Sequence, residues 1–339
     1  MKAIYLVRFG KPEDAFEIRD VAMPEPSDSQ VRVKVEAFGL NYADVTARQG
    51  RYRDCPPLPC VLGYDAVGVV DAISKNVTNV KVGDRVTLFT LFNGYAEYIV
   101  ADYRAATKIP ENFLLPFAAA LATQYCTAYY ASCECVNVHE GDVALVHAAA
   151  GGVGTALIQM LLYKGAVIIG TCGSQEKVEH LRKSGVQYPI NYNTSDYREE
   201  IKKILGDRKL DLVFDSLGGK YVSDGIKLLA TGGKLVMFGG ADVTSEKNFF
   251  KRWRKIFQFG FYHPGMFMMA SKSLIGISML KIGKEKPEII SRVLREVVAL
   301  GGKNVLTPSG GQEFPVSQLA EAHYALEQRR TLGKVVVKW

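Results

Sequence analysis

At 339 residues the chain is long enough for two domains, since single hydrophobic cores stop growing at about 250 to 300 residues. Its 48% hydrophobic and 23% charged residues exclude a disordered polymer, and no run of about 18 uncharged apolar residues marks a membrane-spanning helix. The net charge of +7 is spread along the chain rather than gathered in a basic tail, so it reads as solvated surface and argues against nucleic acid as a partner.

The opening residues Met1, Lys2, Ala3, Ile4 and Tyr5 lack the apolar stretch and cleavage site of a secretory signal, and a cytoplasmic location is expected. From Val31 to Glu36 apolar and polar residues alternate, as in a strand with one wet face. Further short strands are expected at Ala66 to Ala72, Arg85 to Phe89 and Ala96 to Val100, punctuated by Gly63, Gly68, Gly83 and Gly94. The first third therefore reads as all-β. Cysteines at 55, 60, 126, 133, 135 and 172 form no C-x-x-C pair and no repeated spacing, which predicts free thiols in a reducing compartment.

After Pro116 the character changes. Phe117 to Tyr130 reads as a helix, and strands then alternate with helices: Val143 to His147, a helix after Gly154, Val167 to Thr171, a helix over about 175–183, Leu210 to Phe214, a helix over about 220–229, and Lys234 to Phe238. This succession predicts a parallel sheet covered by helices, and right-handed crossovers make it a doubly wound α/β sheet of Rossmann type. Residues 285–300 and 317–330 read as helical. Lys334 to Lys338 reads as a terminal strand returning to the first domain.

The most informative stretch is Asp142 to Gly154, where an apolar run breaks into a glycine turn and then into the helical spacing of Leu157, Ile158, Leu161 and Leu162. Gly151 lets the backbone approach a pyrophosphate, Gly154 lets the helix pack tightly on the strand, and the helix N-terminal amides face the anion. Ala150, Gly151, Gly152, Val153 and Gly154 are thus the candidate phosphate cradle of a dinucleotide. The first glycine of the usual pattern is replaced by Ala149, so the motif alone divides evenly between this reading and an ordinary glycine turn. Its place between a strand and a helix favours the dinucleotide.

The next strand ends Gly170-Thr171-Cys172-Gly173-Ser174 without the acid that accepts both ribose hydroxyls of NAD. The Ser174 hydroxyl and the Lys177 ammonium suit a 2′-phosphate, so NADPH is the expected cofactor. A solvated helix lysine is the alternative reading of Lys177. Phe238 and Gly239 end a later strand, where doubly wound sheets bind ligands, and are assigned to the nicotinamide side.

A segment over 247–257 mixes Lys247, Lys251, Arg252, Arg254 and Lys255 with Phe249, Phe250, Trp253, Ile256 and Phe257, and Met266, Met268 and Met269 follow. We read it first as a cap or interface element. Contact with an anionic membrane surface is the second reading, and single-stranded nucleic acid the third.

The stretches Gly39-Leu40-Asn41-Tyr42-Ala43-Asp44, Gly63-Tyr64-Asp65-Ala66-Val67-Gly68, Val82-Gly83-Asp84-Arg85-Val86, His147 to Gly154, Asp215-Ser216-Leu217-Gly218-Gly219 and Gly333-Lys334 together carry a specific resemblance. The chain resembles the zinc-free branch of the medium-chain dehydrogenase/reductase family, the quinone oxidoreductases, over essentially its whole length. The part after Gly239 is similar to the vesicle amine transport protein relatives of that branch. The resemblance implies a GroES-like β-barrel catalytic domain over 1–122, a Rossmann cofactor domain over 123–262 and a C-terminal return over 263–339, with the active site in the cleft between domains and a homodimer formed through the Rossmann sheets.

In the zinc-dependent cousins a cysteine and a Gly-His-Glu segment supply catalytic ligands. The corresponding positions here carry Asn41, Tyr64 and Asp65, a poor set for an ion that favours thiolate and imidazole. No metal is expected, and hydride transfer without one needs an acceptor that is already activated, such as a quinone or a carbonyl-conjugated alkene. The resemblance places Asn41, Tyr42 and Asp44 beside nicotinamide and substrate, Tyr52 on a nearby loop, Thr127 on the carboxamide, Tyr192 over the 2′-phosphate and Lys334 near the cofactor. Asn41, Tyr42 and Tyr52 are the candidate catalytic residues, because an amide donates without adding charge and a tyrosine stacks while its hydroxyl faces a developing enolate. Asp44 is read as a cap rather than a general base. Plain packing of the tyrosines, a zinc-free enoyl-thioester reductase and a non-catalytic dinucleotide-binding interaction protein stay open as alternatives.

Overall fold

The alternation at Val31, Val33 and Val35 makes the spine of one unit, because those side chains are buried while Arg32 and Lys34 point outward. The structure is a computed structural model that describes residues 1–246, 248–329 and 331–339. It divides into two compact units, Met1–Cys126 with Met279–Trp339, and Thr127–Ser278. Expected breaks at 122/123 and 262/263 differ from these limits.

In the first unit, strand Gln30–Leu40 pairs antiparallel with Asp65–Ile73, with Tyr98–Asp102 and with the terminal strand Lys334–Lys338. The sheet runs in the order Gly311–Pro315, Lys334–Lys338, Gln30–Leu40, Asp65–Ile73, Arg85–Phe89 and Ala106–Lys108. A second, three-stranded sheet joins Phe16–Asp20, Lys2–Leu6 and Cys60–Val61. Ile4, Leu6, Val33, Phe38, Leu88 and Val337 are among the core residues, each worth roughly 1.5–3 kcal/mol of transfer free energy when fully buried. The return of the C-terminal strand is as expected, with Val335 opposite Leu40 and Val337 opposite Phe38.

The all-β reading of the first third fails at helix Tyr42–Arg48. Seven residues give too few turns for a 3.6-residue period to show. The helix starts because Asn41 is extended, at φ −123° and ψ 158°, and the Asp44 carboxylate accepts the Asn41 amide at 2.8 Å.

In the second unit all neighbouring strands are parallel. Their order is Tyr188–Asn191, Val167–Cys172, Val143–Val146, Leu210–Asp215, Leu229–Met237 and Ser273–Gly276. This is the doubly wound arrangement the alternation predicted. Val143, Ala144, Leu145 and Val146 are all buried, as a strand covered on both faces requires. The chain order reverses beside Val143–Val146, and such sheets bind ligands at the carboxyl ends of the strands there. Helices Gly152–Tyr163, Gln175–Lys183, Tyr197–Leu205 and Lys220–Leu228 follow the first, second, third and fourth strands in chain order.

Strand Tyr188–Asn191 and helix Tyr197–Leu205 were not anticipated. Pro189 disguises the strand, and it is tolerated because this strand is the sheet edge. Ser273–Gly276 pairs with Leu229–Met237, which keeps 263–278 with the parallel sheet rather than with the C-terminal return. Among the described residues no helix is long and apolar enough to cross a membrane.

Candidate active site

The candidate residues fall into two sets, one in each unit. In the second unit the first strand delivers the chain to the glycine turn. Ala148 takes a left-handed φ of 51°, after which Ala149 donates to Thr171 O at 2.9 Å and Gly151 to Ala148 O at 2.8 Å. A Cβ on Gly154 would fall 2.5 Å from Ala148 O and 2.6 Å from Ala149 O. Only glycine fits, and the helix begins pressed against the turn. Gly151 is its N-cap, with Gly152, Val153 and Gly154 in the first turn, where amides lack intrahelical partners.

Ser174 caps helix Gln175–Lys183, its hydroxyl accepting the Lys177 amide at 3.3 Å. Tyr192 leans over the same corner: a Cβ on Gly173 would lie 2.6 Å from its hydroxyl, and the Tyr192 amide donates to Cys172 O at 3.0 Å. The structure thus brings Gly173, Ser174, Lys177 and Tyr192 together. Phe238 and Gly239 follow strand Leu229–Met237 and abut the turn after Asp215, with Phe238 N donating to Asp215 O at 3.0 Å. Asp215 is buried and accepts the Leu217 and Gly218 amides at 3.0 and 2.8 Å. Burial pushes its carboxyl up to about 6. Thr127 is buried in the turn Cys126–Tyr129, flanked by π-helical turns Leu121–Tyr125 and Tyr130–Glu134.

His147, read in the sequence as a surface or core residue rather than a ligand, is a core residue. Its Nδ1 lies 3.0 Å from Thr171 Oγ1, and its ring is edge-on to Tyr197 and Tyr221 with centroids 5.3 and 5.0 Å away. Burial lowers it to about 3, so it is a neutral pin between the ends of the first two strands. The signal was its place at the head of the glycine stretch.

In the first unit Asn41 stands at the N-cap of helix Tyr42–Arg48 and Asp65 opens strand Asp65–Ile73. Asn41 Nδ2 donates to Asp65 Oδ2 at 2.8 Å, and Lys334 Nζ donates to Asn41 Oδ1 at 2.9 Å and to Asp65 Oδ2 at 2.6 Å. Asp65 is wholly buried and Lys334 is 1% exposed. The Lys334 ammonium is turned onto Asn41 and Asp65, because the pairing of Val335 with Leu40 sets it beside them. Gly39 makes the room. A Cβ there would fall 1.8 Å from Asp65 Oδ1 and 2.2 Å from Lys334 Cε.

Asp44 accepts the Asn41 and Gly63 amides at 2.8 and 3.2 Å, which is a capping geometry. Burial pushes its carboxyl up to about 7, and the neighbouring Asp65 charge adds to the rise. Tyr42 opens the helix, half-buried. Tyr52 is also half-buried and meets Tyr64 edge-on at 6.1 Å between centroids; burial raises its hydroxyl above the usual tyrosine value. All six cysteines are free thiols, with Cys55 and Cys60 Sγ 4.0 Å apart.

Zinc does not fit this set. Asn41 and Asp65, which stand where ligands would, are bound to an ammonium instead, and among the described residues no group of three metal-ligating side chains converges. The glycine turn does fit a dinucleotide, because its close approaches leave backbone amides uncovered where side chains would otherwise stand.

Residues 27–111 match the alcohol dehydrogenase GroES-like domain and residues 152–296 match the zinc-binding dehydrogenase family. Human quinone oxidoreductase is 33% identical over 95% of this chain and 93% of its own. The chain belongs to the medium-chain dehydrogenase/reductase family, in its quinone oxidoreductase branch. Another relative in this family of oxidoreductases is the rat synaptic vesicle membrane protein VAT-1 homolog, 32% identical over 99% of this chain and 84% of its own. The solved structure of Escherichia coli quinone oxidoreductase complexed with NADPH superposes with a TM-score of 0.86, at 27% identity over all of both chains. The antiparallel unit is thus a GroES-like domain and the parallel unit a Rossmann domain.

Proposed function

We propose that this family member is a zinc-independent, NADPH-dependent oxidoreductase that transfers hydride to a quinone or an α,β-unsaturated carbonyl. The observation that carries the reading is the buried Lys334 ammonium bonded to both Asn41 and Asp65, because a fixed cation then engages two of the positions that, by the resemblance, carry zinc ligands in the zinc-dependent cousins. An acceptor at such a site has no Lewis acid to polarise it, so it must be electrophilic by its own conjugation.

In this reading Ala150, Gly151, Gly152, Val153 and Gly154 hold the pyrophosphate, while Ser174, Lys177 and Tyr192 hold the 2′-phosphate. Thr127, Phe238 and Gly239 line the nicotinamide. When bound, the reduced nicotinamide supplies the hydride. Asn41 spends one Nδ2 proton on Asp65 and keeps the second, since an amide carries two donors. That second proton is the neutral donor for an oxygen gaining charge, and Lys334 and Asp65 hold the amide in the orientation that presents it. Tyr42 and Tyr52 supply flat apolar faces, and their hydroxyls are the candidate proton donors.

The same reading carries a cytoplasmic homodimer joined through the parallel sheets, whose outer strand Ser273–Gly276 has, among the described residues, a neighbouring strand on one side only. The test of the activity is loss of NADPH absorbance with a panel of quinones, enones and enoyl thioesters, in the parent and in Asn41→Ala. Turnover of a quinone or enone that falls about a hundredfold in the variant supports the assignment. Turnover confined to enoyl thioesters reassigns the substrate, and NADPH binding without turnover makes the chain an interaction protein.

A further inference from the structure

Helix Phe249–Phe257 is amphipathic in an inverted sense. At 3.6 residues per turn Phe249, Phe250, Trp253, Ile256 and Phe257 share one face, and all five are exposed, Phe250 to 80%. Their rings form a chain, Phe249 to Trp253, Trp253 to Phe257 and Phe257 to Phe261, each step 6.1 Å between centroids. The polar side is what fastens the helix down. Lys255 Nζ donates to Asp242 Oδ1 at 2.9 Å and lies 3.5 Å from Glu246 Oε2. Phe261, 81% exposed and in ring contact with Phe257, extends the apolar surface beyond the helix. Monomeric proteins rarely leave so large a continuous apolar surface without a partner.

Charge identifies the partner. Arg252 and Arg254 flank the aromatic face on either side, Lys251 lies behind them, and the sequence from Asn248 to Lys284 contains no aspartate or glutamate. A face with aromatic side chains in the middle, arginines at the margins and no carboxylate matches the boundary between anionic headgroups and acyl chains. A cofactor cap needs its apolar side turned inward, which is the opposite of what is found. Lys247, the first residue of the basic aromatic segment, lies outside the described residues.

We propose that helix Phe249–Phe257 is a docking face for anionic lipid bilayers, lying flat with its aromatic side at the headgroup boundary and Arg252 and Arg254 on the lipid phosphates. The helix does not span the bilayer; the full chain binds reversibly, and attraction rises about fivefold for each basic residue brought to the surface. The assignment is independent of the oxidoreductase reading.

The test is flotation of the full-length protein with phosphatidylcholine vesicles, with and without phosphatidylserine, alongside Phe250→Ser/Phe257→Ser and Arg252→Glu/Arg254→Glu. All these side chains are on the surface, and circular dichroism and melting curves check that the variants fold as the parent does. The expected result is parent binding to anionic vesicles at least about tenfold over neutral ones, loss in both variants, and a blue shift of Trp253 emission on binding. Absence of binding, equal binding to both vesicle types, or equal binding of parent and variants overturns the proposal. So does an association between protein copies that the aromatic variant abolishes while vesicles are ignored, since that assigns the face to a second copy of this chain.

Discussion

The Lys334 ammonium sits 2.6 Å from Asp65 Oδ2 with both side chains out of solvent, and the pair holds Asn41 between them. Removing one partner strands the other charge in the core. Lys334→Met should therefore lower stability by about 3–5 kcal/mol, and Lys334→Met with Asp65→Asn should recover most of that loss. Urea unfolding of the two variants checks this. A single variant as stable as the parent would show that Asp65 does not need its counter-ion.

On the cofactor side, Lys177→Ala should weaken NADPH by about tenfold or more and leave NADH nearly unchanged, because only the former carries the 2′-phosphate. Calorimetric titration with each dinucleotide separates the two. Equal weakening would sink the phosphate assignment and leave Lys177 a solvated helix lysine.

Gly154→Ala probes the cradle itself. Its new Cβ would meet Ala148 O at 2.5 Å, and the turn must shift to relieve the contact. Dinucleotide affinity is expected to fall by about tenfold or more, as amides lose their aim at the pyrophosphate. Titration with NADPH and a melting curve report the two effects separately; unchanged affinity would place the anion elsewhere.

Asp44 gives a prediction in pH. Its folded carboxyl sits at about 7 against an ordinary 3.8, so between those values the folded chain keeps a proton that the unfolded chain has released. This contribution to stability is complete at the acid end and is lost as pH rises toward 7, with a slope of at most about 1.4 kcal/mol per pH unit. Asp44→Asn lacks this titration, and its stability should fall less steeply across that window. Parallel pH curves for parent and variant would refute the assignment, since the raised Asp215 is common to both.

The inner strands of the Rossmann half were legible because they are continuous apolar runs, whereas helix Tyr197–Leu205 and the edge strands of the same sheet were not. The glycine cradle needed only sequence spacing, as Gly151 and Gly154 mark close approaches by residue type. Helix Tyr42–Arg48 and strand Tyr188–Asn191 escaped for physical reasons: one is shorter than two full turns and the other carries a proline that its edge position tolerates. The outward face of helix Phe249–Phe257 was invisible because amphipathic spacing says which residues share a side, never which side meets the protein.

Local chemistry by itself determined the four inner strands of the parallel sheet and the helices after three of them, the close backbone approach at Gly154 and the unsuitability of Asn41, Tyr64 and Asp65 as a zinc ligand set. The tertiary structure alone decided that Lys334, 293 residues beyond Asn41 in the chain, delivers its charge there. The reason is that strand register, set by the burial of Val335 and Val337 against the core, chooses which distant side chains become neighbours.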